Sequence, residues 1–148
     1  MMNVTKMDYY FDTSALLPYY RQEALTPKVQ DFINDLTPPI LINHLTLVEM
    51  ASALSRWCRT LELTQAQALM IHELFYQHIT IGLYRILPVS EQEFKRAESW
   101  LLQRDTSLRS LDALHLATAL YADACLVTAD KKLYESARYL NLKSQFLV

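Results

Sequence analysis

The sequence contains a single glycine, Gly82, in 148 residues. Glycine normally makes up about 7% of a globular protein. Phosphate-binding loops of the GxxxxGK type and dinucleotide-binding loops of the GxGxxG type need several glycines within a few residues. The sequence therefore excludes a nucleotide cofactor held by either loop.

Cysteine is almost as scarce, since Cys58 and Cys125 are the only two. They lie far apart in apolar segments, which is typical of free thiols and not of a disulfide or a zinc site. We therefore predict that both are buried and unpaired, and that they carry no chemistry.

Positive charge and long apolar runs are also lacking. The net charge is -2, so the whole molecule does not attract nucleic acid or an anionic membrane, and such a partner must be met by a local patch. Every apolar run is shorter than the ~20 residues that span a bilayer, and the opening segment MMNVTKMD lacks the apolar stretch of a signal peptide. These features predict a cytoplasmic protein with no membrane partner.

What is present predicts one α/β domain over residues 1–148. Short apolar runs rich in strand-forming residues, such as YYF, ILIN, YRILPV, CLVT and SQFLV, are separated by segments with helical patterns. Helical connections of ten or more residues favour parallel strand pairing. The expected fold is a three-layer α/β/α sandwich with a central parallel sheet.

Capping patterns predict where several helices begin. Ser90 with Glu93, and Thr46 with Glu49, match the capping box, and Thr64 precedes a third helical segment. The helix that starts near Thr46 should extend to about residue 60, and the next should end near Gly82.

Four acidic residues lie where predicted strands end or helices begin: Asp12, Glu49, Asp112 and Asp130. Helix capping or the helix macrodipole explains each one taken singly. In an open parallel sheet, however, the strand carboxyl ends and the following helix N-termini share one edge. We therefore expect Asp12, Asp112 and Asp130 to point into one crevice, which Glu49 approaches from a helical face with small neighbours.

Converging carboxylates repel one another, and a divalent cation relieves that repulsion. Oxygen donors without matching histidine or cysteine favour Mg²⁺ or Mn²⁺ over zinc. His115 follows Asp112 at ligand spacing, but a hydrogen-bonded packing role is preferred on so apolar a helix. The other histidines have no carboxylate or cysteine pattern and are interpreted as structural: His44, His72 and His78.

Four segments resemble, in order and spacing, the acidic motifs of PIN-domain ribonucleases of the VapC-like toxin branch: YFDTSALLPYY, LTLVEMASALSR, SLDALHLATAL and LVTADKKLYESAR. The resemblance extends from about Tyr9 to Leu142. It implies a PIN-like fold whose acidic pocket binds Mg²⁺ or Mn²⁺ and hydrolyses RNA phosphodiester bonds. It also implies a toxin with a cognate antitoxin and a homodimeric state.

The same resemblance implies roles for individual residues. Asp12 and Asp112 match the principal metal ligands, Glu49 completes that site or acts through water, and Asp130 helps to hold a second ion or the attacking water. Three hydroxyl residues match positions that support the acids: Thr13, Ser14 and Thr128.

Two glycine positions of the family are changed in this chain. Asp123 or Ala124 stands before the LVT strand, and Asn141 follows the last helix. Asparagine tolerates the left-handed backbone conformation that glycine usually provides there, so the fold should accept the replacement.

Surface contacts are predicted from charge and apolar bulk. Four basic residues near the acids are candidates to contact RNA or an antitoxin: Arg56, Arg109, Lys131 and Lys132. The helices over residues 46–60 and 64–80 carry more large apolar side chains than one sheet face needs. Most should lie in the core, and the rest suit a homodimer face or an antitoxin groove.

Two other functions are compatible with the sequence. A phosphatase of the haloacid-dehalogenase type also uses an aspartate at a strand end, but it needs a second aspartate two residues later, where this chain has Ser14. The other alternative is a catalytically silent PIN-like binding module, because four acids do not by themselves prove turnover.

Overall fold

The computed structural model describes residues 6–148. In this part of the chain the strands are β1 (Tyr9–Phe11), β2 (Ile40–Asn43), β3 (Tyr84–Leu87), β4 (Cys125–Thr128) and β5 (Ser144–Phe146). The helices are α1 (Thr13–Tyr20), α2 (Thr26–Asp35), α3 (His44–Arg59), α4 (Gln65–Thr80), α5 (Glu91–Gln103), α6 (Ser110–Tyr121) and α7 (Lys131–Tyr139).

All five strands form one parallel sheet in the order β3-β2-β1-β4-β5. The central strand β1 places Tyr10 opposite Leu41 of β2 and Leu126 of β4. The chain builds outward from β1 in one direction through β2 and β3, and in the other through β4 and β5. The order therefore reverses beside β1, and the carboxyl ends of β1 and β4 flank the crevice in which open α/β sheets bind ligands.

Alternating side chains of β1 and β4 build a core on each face of the sheet. Phe11 and Val127 lie in the core that includes buried residues of α1, α2, α3 and α4. Tyr10 and Leu126 lie in the opposite core, with residues of α5, α6 and α7. Successive residues of a strand point to opposite faces, so both faces are apolar and covered by helices. The predicted three-layer α/β/α sandwich is confirmed.

Two of the three predicted helix starts are confirmed. The Glu93 carboxylate accepts a hydrogen bond of 2.9 Å from the Ser90 backbone N–H, and the Thr64 hydroxyl accepts one of 3.1 Å from the Gln67 N–H. Each helix start thus satisfies backbone donors that have no partner within the helix.

The predicted capping role of Thr46 and Glu49 is wrong. Helix α3 begins at His44, and Asn43, the last residue of β2, is its cap. The Asn43 side-chain oxygen accepts hydrogen bonds from the N–H groups of Leu45 and Thr46, at 2.9 and 3.4 Å. A capping residue can also belong to the strand before it, which the sequence pattern did not reveal. Because Asn43 performs the capping, the Glu49 side chain takes no part in it.

Three residues with a left-handed backbone agree with the sequence. Helix α4 ends at Thr80, and Gly82, with φ of 88°, reverses the chain just after it. Asp123 and Asn141 also have positive φ, at 51° and 59°, so the two glycine replacements are accommodated. The Lys143 ammonium donates to both the backbone and the side-chain oxygens of Asp123, which supports that turn.

Both cysteines are free, as predicted, and Cys125 is buried. Cys58 is only half-buried, contrary to prediction, because it lies on the outer side of α3 near the start of α4. Over residues 6–148 no helix combines the length and the apolar character that a membrane span requires.

Replacing Asn43 with alanine should lower the free energy of unfolding by about 2 kcal/mol, because the helix loses a buried cap. Asn43 also donates a hydrogen bond of 3.0 Å to the Thr118 hydroxyl, which links β2 to α6. The matched control is Thr64→Ala, an exposed cap that should cost about 1 kcal/mol or less. Urea denaturation measures both, and an equal loss in the two variants would contradict the assigned role of Asn43.

Candidate active site

An open cleft of about 340 Å³ lies at the carboxyl edge of the sheet. All four acids singled out from the sequence line it, together with other residues of α1, α3 and α6. The lining is Asp12, Thr13, Ser14, Leu17, Glu49, Ser52, Ala53, Arg56, Leu111, Asp112, His115 and Asp130. The predicted convergence of acids from four distant segments is therefore present in the structure.

Asp12 lies at the base of the cleft, directly after the central strand β1. Its side chain is only 5% exposed, and one carboxylate oxygen accepts a hydrogen bond of 3.3 Å from the Ala15 N–H at the start of α1. Burial raises the pKa of this carboxyl to about 6, although hydrogen bonds from Ser14 and the neighbouring His115 counteract part of the rise. Asp12 thus caps a helix and also lies in the site.

Ser14 and Thr128 connect Asp12 to the loop that carries Asp130. The Ser14 hydroxyl lies 2.8 and 2.9 Å from the two Asp12 oxygens and 3.2 Å from the Thr128 hydroxyl. It also accepts from the Ala129 N–H at 3.0 Å, and the Thr128 hydroxyl accepts from the Asp130 N–H at 3.0 Å. The two hydroxyl groups therefore tie the ends of β1 and β4 together.

Glu49 reaches the cleft from the second turn of α3, where it is held by two side chains. Its Oε1 atom accepts a hydrogen bond of 2.9 Å from the Thr13 hydroxyl and another from the His115 imidazole. Burial raises the pKa of the Glu49 carboxyl, but the bonds from His115 and Thr13 outweigh it, and the net pKa is lowered. Glu49 is therefore held as a carboxylate.

The sequence predicted a hydrogen-bonded packing role for His115 but not its partner in the site. His115 is buried, as expected for a packing histidine, and its second ring nitrogen, Nδ1, lies 2.6 Å from the Tyr10 hydroxyl. The helical spacing from Asp112 was visible in the sequence. Its pairing with Glu49 was not, because the two residues are 66 positions apart.

Asp112 and Asp130 occupy the first turns or caps of α6 and α7. An Asp112 oxygen accepts a hydrogen bond of 3.3 Å from the Arg109 N–H. Burial raises the pKa of Asp112, and the charges of Asp130 and Glu49 raise it further. One Asp130 oxygen accepts from the Lys132 N–H at 2.9 Å. The acids are thus close enough to influence one another electrostatically.

Of the four basic residues proposed as contacts, the structure places only Arg56 on the wall of the cleft. Arg109, Lys131 and Lys132 are exposed outside it. Lys131 lies 3.9 Å from Glu135 one helical turn along α7. Between residues 6 and 148, no lysine or arginine forms an ion pair with any of the four acids.

The donor set suits Mg²⁺ or Mn²⁺, because it consists of carboxylate oxygens that no lysine or arginine of the described chain neutralises. The side chains do not form a closed cage, since no three histidine, cysteine, aspartate or glutamate side chains in the described chain lie close enough to enclose an ion. Mg²⁺ is commonly held by one or two carboxylates and keeps several waters. The open arrangement fits that mode of binding.

A family model supports the resemblance. The model for the PIN domain matches residues 9–139. This chain belongs to the PIN domain family. A comparison with curated protein sequences gave no match.

Solved structures share the fold of this PIN domain. FitAcB from Neisseria gonorrhoeae aligns with a TM-score of 0.72 at 19% identity, over 92% of this chain and 95% of the other. VapC20 from Mycobacterium tuberculosis, a sarcin-ricin loop cleaving toxin, aligns with a TM-score of 0.67 at 14% identity, over 87% of this chain and 95% of the other. VapBC2 from Rickettsia felis, bound to a promoter DNA fragment, aligns with a TM-score of 0.67 at 17% identity, over 95% of this chain and 98% of the other.

Asp12→Asn should stabilise the metal-free protein near neutral pH. Because burial raises the folded-state pKa from 3.8 to about 6, the folded state binds the proton more tightly than the unfolded state. Stability contributed by protonated Asp12 is therefore lost as pH rises from about 4 to about 6. The variant should gain up to about 3 kcal/mol over the wild type at neutral pH, and the gain should shrink towards pH 4.

Urea denaturation in the presence of a chelator, at several pH values, measures this difference. Asp31→Asn, which changes an exposed acid of α2, is the control and should alter stability by less than about 0.5 kcal/mol. A gain for Asp12→Asn that did not depend on pH would show that the Asp12 carboxyl is not desolvated as described.

Proposed function

We propose that this PIN domain is a Mg²⁺- or Mn²⁺-dependent endoribonuclease and the toxin of a toxin-antitoxin pair. The observation that carries the proposal is the cleft that Asp12, Glu49, Asp112 and Asp130 line together, without a lysine or arginine ion partner in the described chain. An RNA phosphodiester is itself anionic, so such a cleft needs a cation before it can accept one.

Asp12 and Asp112 would be the principal ligands, with Glu49 and Asp130 completing the site directly or through water. A bound divalent ion would supply positive charge that activates water and stabilises the phosphate oxygens in the transition state. The chain's own contribution is to orient the donors: Ser14 holds Asp12, and Thr13 and His115 hold Glu49.

Arg56 is the residue best placed to bind a phosphate next to the scissile bond. It lines the cleft on the same helix as Glu49, about two turns later, whereas the other basic candidates lie outside. Arginine binds phosphate through a planar fork of donors, which fixes its orientation. A short basic contact of this kind suits an acidic protein that recognises RNA by local shape and exposed single strands.

A cognate antitoxin and a second copy of the chain are the proposed protein partners. A toxin-antitoxin complex from Klebsiella pneumoniae shares the fold and supports an antitoxin partner, and VapC20, a sarcin-ricin loop cleaving toxin, supports an RNA substrate. The large apolar side chains of residues 46–80, most of which were expected in the core, are divided between the core and the surface. Trp57 and Phe75 are buried, whereas four others are exposed: Leu61, Met70, Leu74 and Tyr76. These exposed apolar side chains on and near α4 suit a protein partner.

The two alternative functions make different predictions. The phosphatase needs a carboxyl two residues after Asp12, but Ser14 occupies that position, and its hydroxyl lies within hydrogen-bonding distance of both Asp12 oxygens. The silent binding module would keep the cleft and its metal but would not turn over substrate.

The purified protein should cleave structured RNA in Mg²⁺ or Mn²⁺ and lose cleavage in a chelator. Asp112→Asn should lower the rate by at least about 100-fold, because a ligand to the ion is lost. Asp31→Asn is the matched control on α2 and should cleave at the wild-type rate. Electrophoresis of a labelled RNA measures each rate.

Each alternative has its own outcome in that assay. Hydrolysis of p-nitrophenyl phosphate without RNA cleavage would favour the phosphatase. Metal binding without turnover of either substrate would favour the silent module. Cleavage that continued unchanged in Asp112→Asn would argue against the proposed site.

Arg56→Ala should weaken RNA binding by about 5- to 10-fold, because one direct phosphate contact is lost. Lys131→Ala removes an exposed charge that lies outside the cleft and serves as the control, with an expected change below about 2-fold. Binding is measured with an uncleavable RNA at two salt concentrations. Equal weakening in both variants would mean that RNA does not enter by the Arg56 wall.

A further inference from the structure

A buried hydrogen-bonded chain of Tyr10, His115 and Glu49 leads from the core to the cleft. We propose that His115 is a positioning residue that holds the Glu49 carboxylate with a single oxygen, Oε2, available to the cation. This inference rests on the proposed function, since it assigns how one acid of that site is presented. His115 contacts Glu49 and not the substrate, so it acts through Glu49.

The direction of the hydrogen bonds follows from the groups involved. A carboxylate only accepts hydrogen bonds, so the His115 Nε2 atom must carry a proton and donate to Glu49 Oε1. The Nδ1 atom lies 2.6 Å from the Tyr10 hydroxyl, and Tyr10 is fully buried. Both ring nitrogens are therefore occupied, and His115 has no nitrogen left to bind a metal.

The two Glu49 oxygens differ in their surroundings. Oε1 accepts from both His115 and the Thr13 hydroxyl, the latter at 2.9 Å. No hydrogen bond from the described part of the chain reaches Oε2, and the Glu49 side chain is 27% exposed towards the cleft. A carboxylate held in this way favours binding a cation through one oxygen, or through a water, over binding with both oxygens.

Three separate elements create this restraint. Thr13 belongs to α1, His115 to α6 and Tyr10 to β1, whereas Glu49 extends from α3. The side chain of His115 is 2% exposed and cannot turn away without breaking core packing. Glutamate has three rotatable side-chain bonds, so Glu49 without these partners would sample several positions. Partners behind a metal ligand typically change metal affinity by about 10- to 100-fold.

The test measures Mn²⁺ binding to the full-length protein without RNA, by calorimetric titration. His115→Leu keeps a similar side-chain volume but removes the N–H group that donates to Glu49. It should weaken Mn²⁺ binding by about 10-fold or more. His115→Gln retains an amide donor and should recover most of the affinity. Leu116→Val, in the core on the same helix, is the control and should change stability without changing Mn²⁺ affinity.

A double-mutant cycle distinguishes positioning from a general structural role. If His115 acts through Glu49, His115→Leu should change Mn²⁺ affinity by less than about 2-fold in a Glu49→Gln background. The same loss in both backgrounds would overturn the inference. Should His115→Leu fail to fold, the cycle is repeated with Tyr10→Phe, which leaves the imidazole in place but removes its hydroxyl partner. If the losses of Mn²⁺ affinity from Tyr10→Phe and Glu49→Gln simply add, the inference is overturned.

Failure of the wider proposal gives a different result. A wild-type protein that bound no Mn²⁺ would refute the metal site itself, and the role of His115 with it. A wild-type protein that bound Mn²⁺, with His115→Leu binding equally well, would refute only the positioning role.

Discussion

The candidate site depends on a carboxylate buried at the end of the central strand. Asp12 is almost inaccessible to solvent, and no lysine or arginine of the described chain pairs with it. Burying a charge without a full counterion is unfavourable, so burial favours the protonated form of Asp12, and a cation in the cleft would favour the ionised form. Burial raises the pKa of Asp12, and the hydrogen bonds from Ser14 and the nearby His115 offset only part of that rise. Together with the other three acids of the cleft, Asp12 supports the proposed cation-dependent function.

Helix capping and site formation prove to be compatible. Asp12 and Asp130 each accept hydrogen bonds from the N-terminal N–H groups of the helix that follows, and each also lines the cleft. This double role arises because parallel strands bring the N-termini of their following helices to one edge. Glu49 reaches the same cleft without capping, because Asn43 performs that task for α3. An acid can therefore cap a helix and still be available as a metal ligand.

The likeness to FitAcB and VapC20 is a likeness of fold at low sequence identity, 19% and 14%. Apolar cores tolerate many substitutions as long as volume and pattern are kept, so such chains superimpose although most side chains differ. Chemistry has to be argued from individual residues instead. Here the relevant observations are the four acids in one cleft, a single arginine on its wall, and a histidine behind Glu49.

The sequence by itself determined the order and type of the helices and strands and most helix starts, because these follow from local hydrogen bonding and hydrophobic periodicity. It also identified the four acids, because they lie where predicted strands end or helices begin. Tertiary structure alone decided that Asn43 caps α3, that Arg56 lines the cleft while Arg109 does not, and that His115 pairs with Glu49. Tyr10 and His115 are 105 residues apart. Contacts over such distances depend on strand order and helix packing, which leave no pattern within any short stretch of sequence.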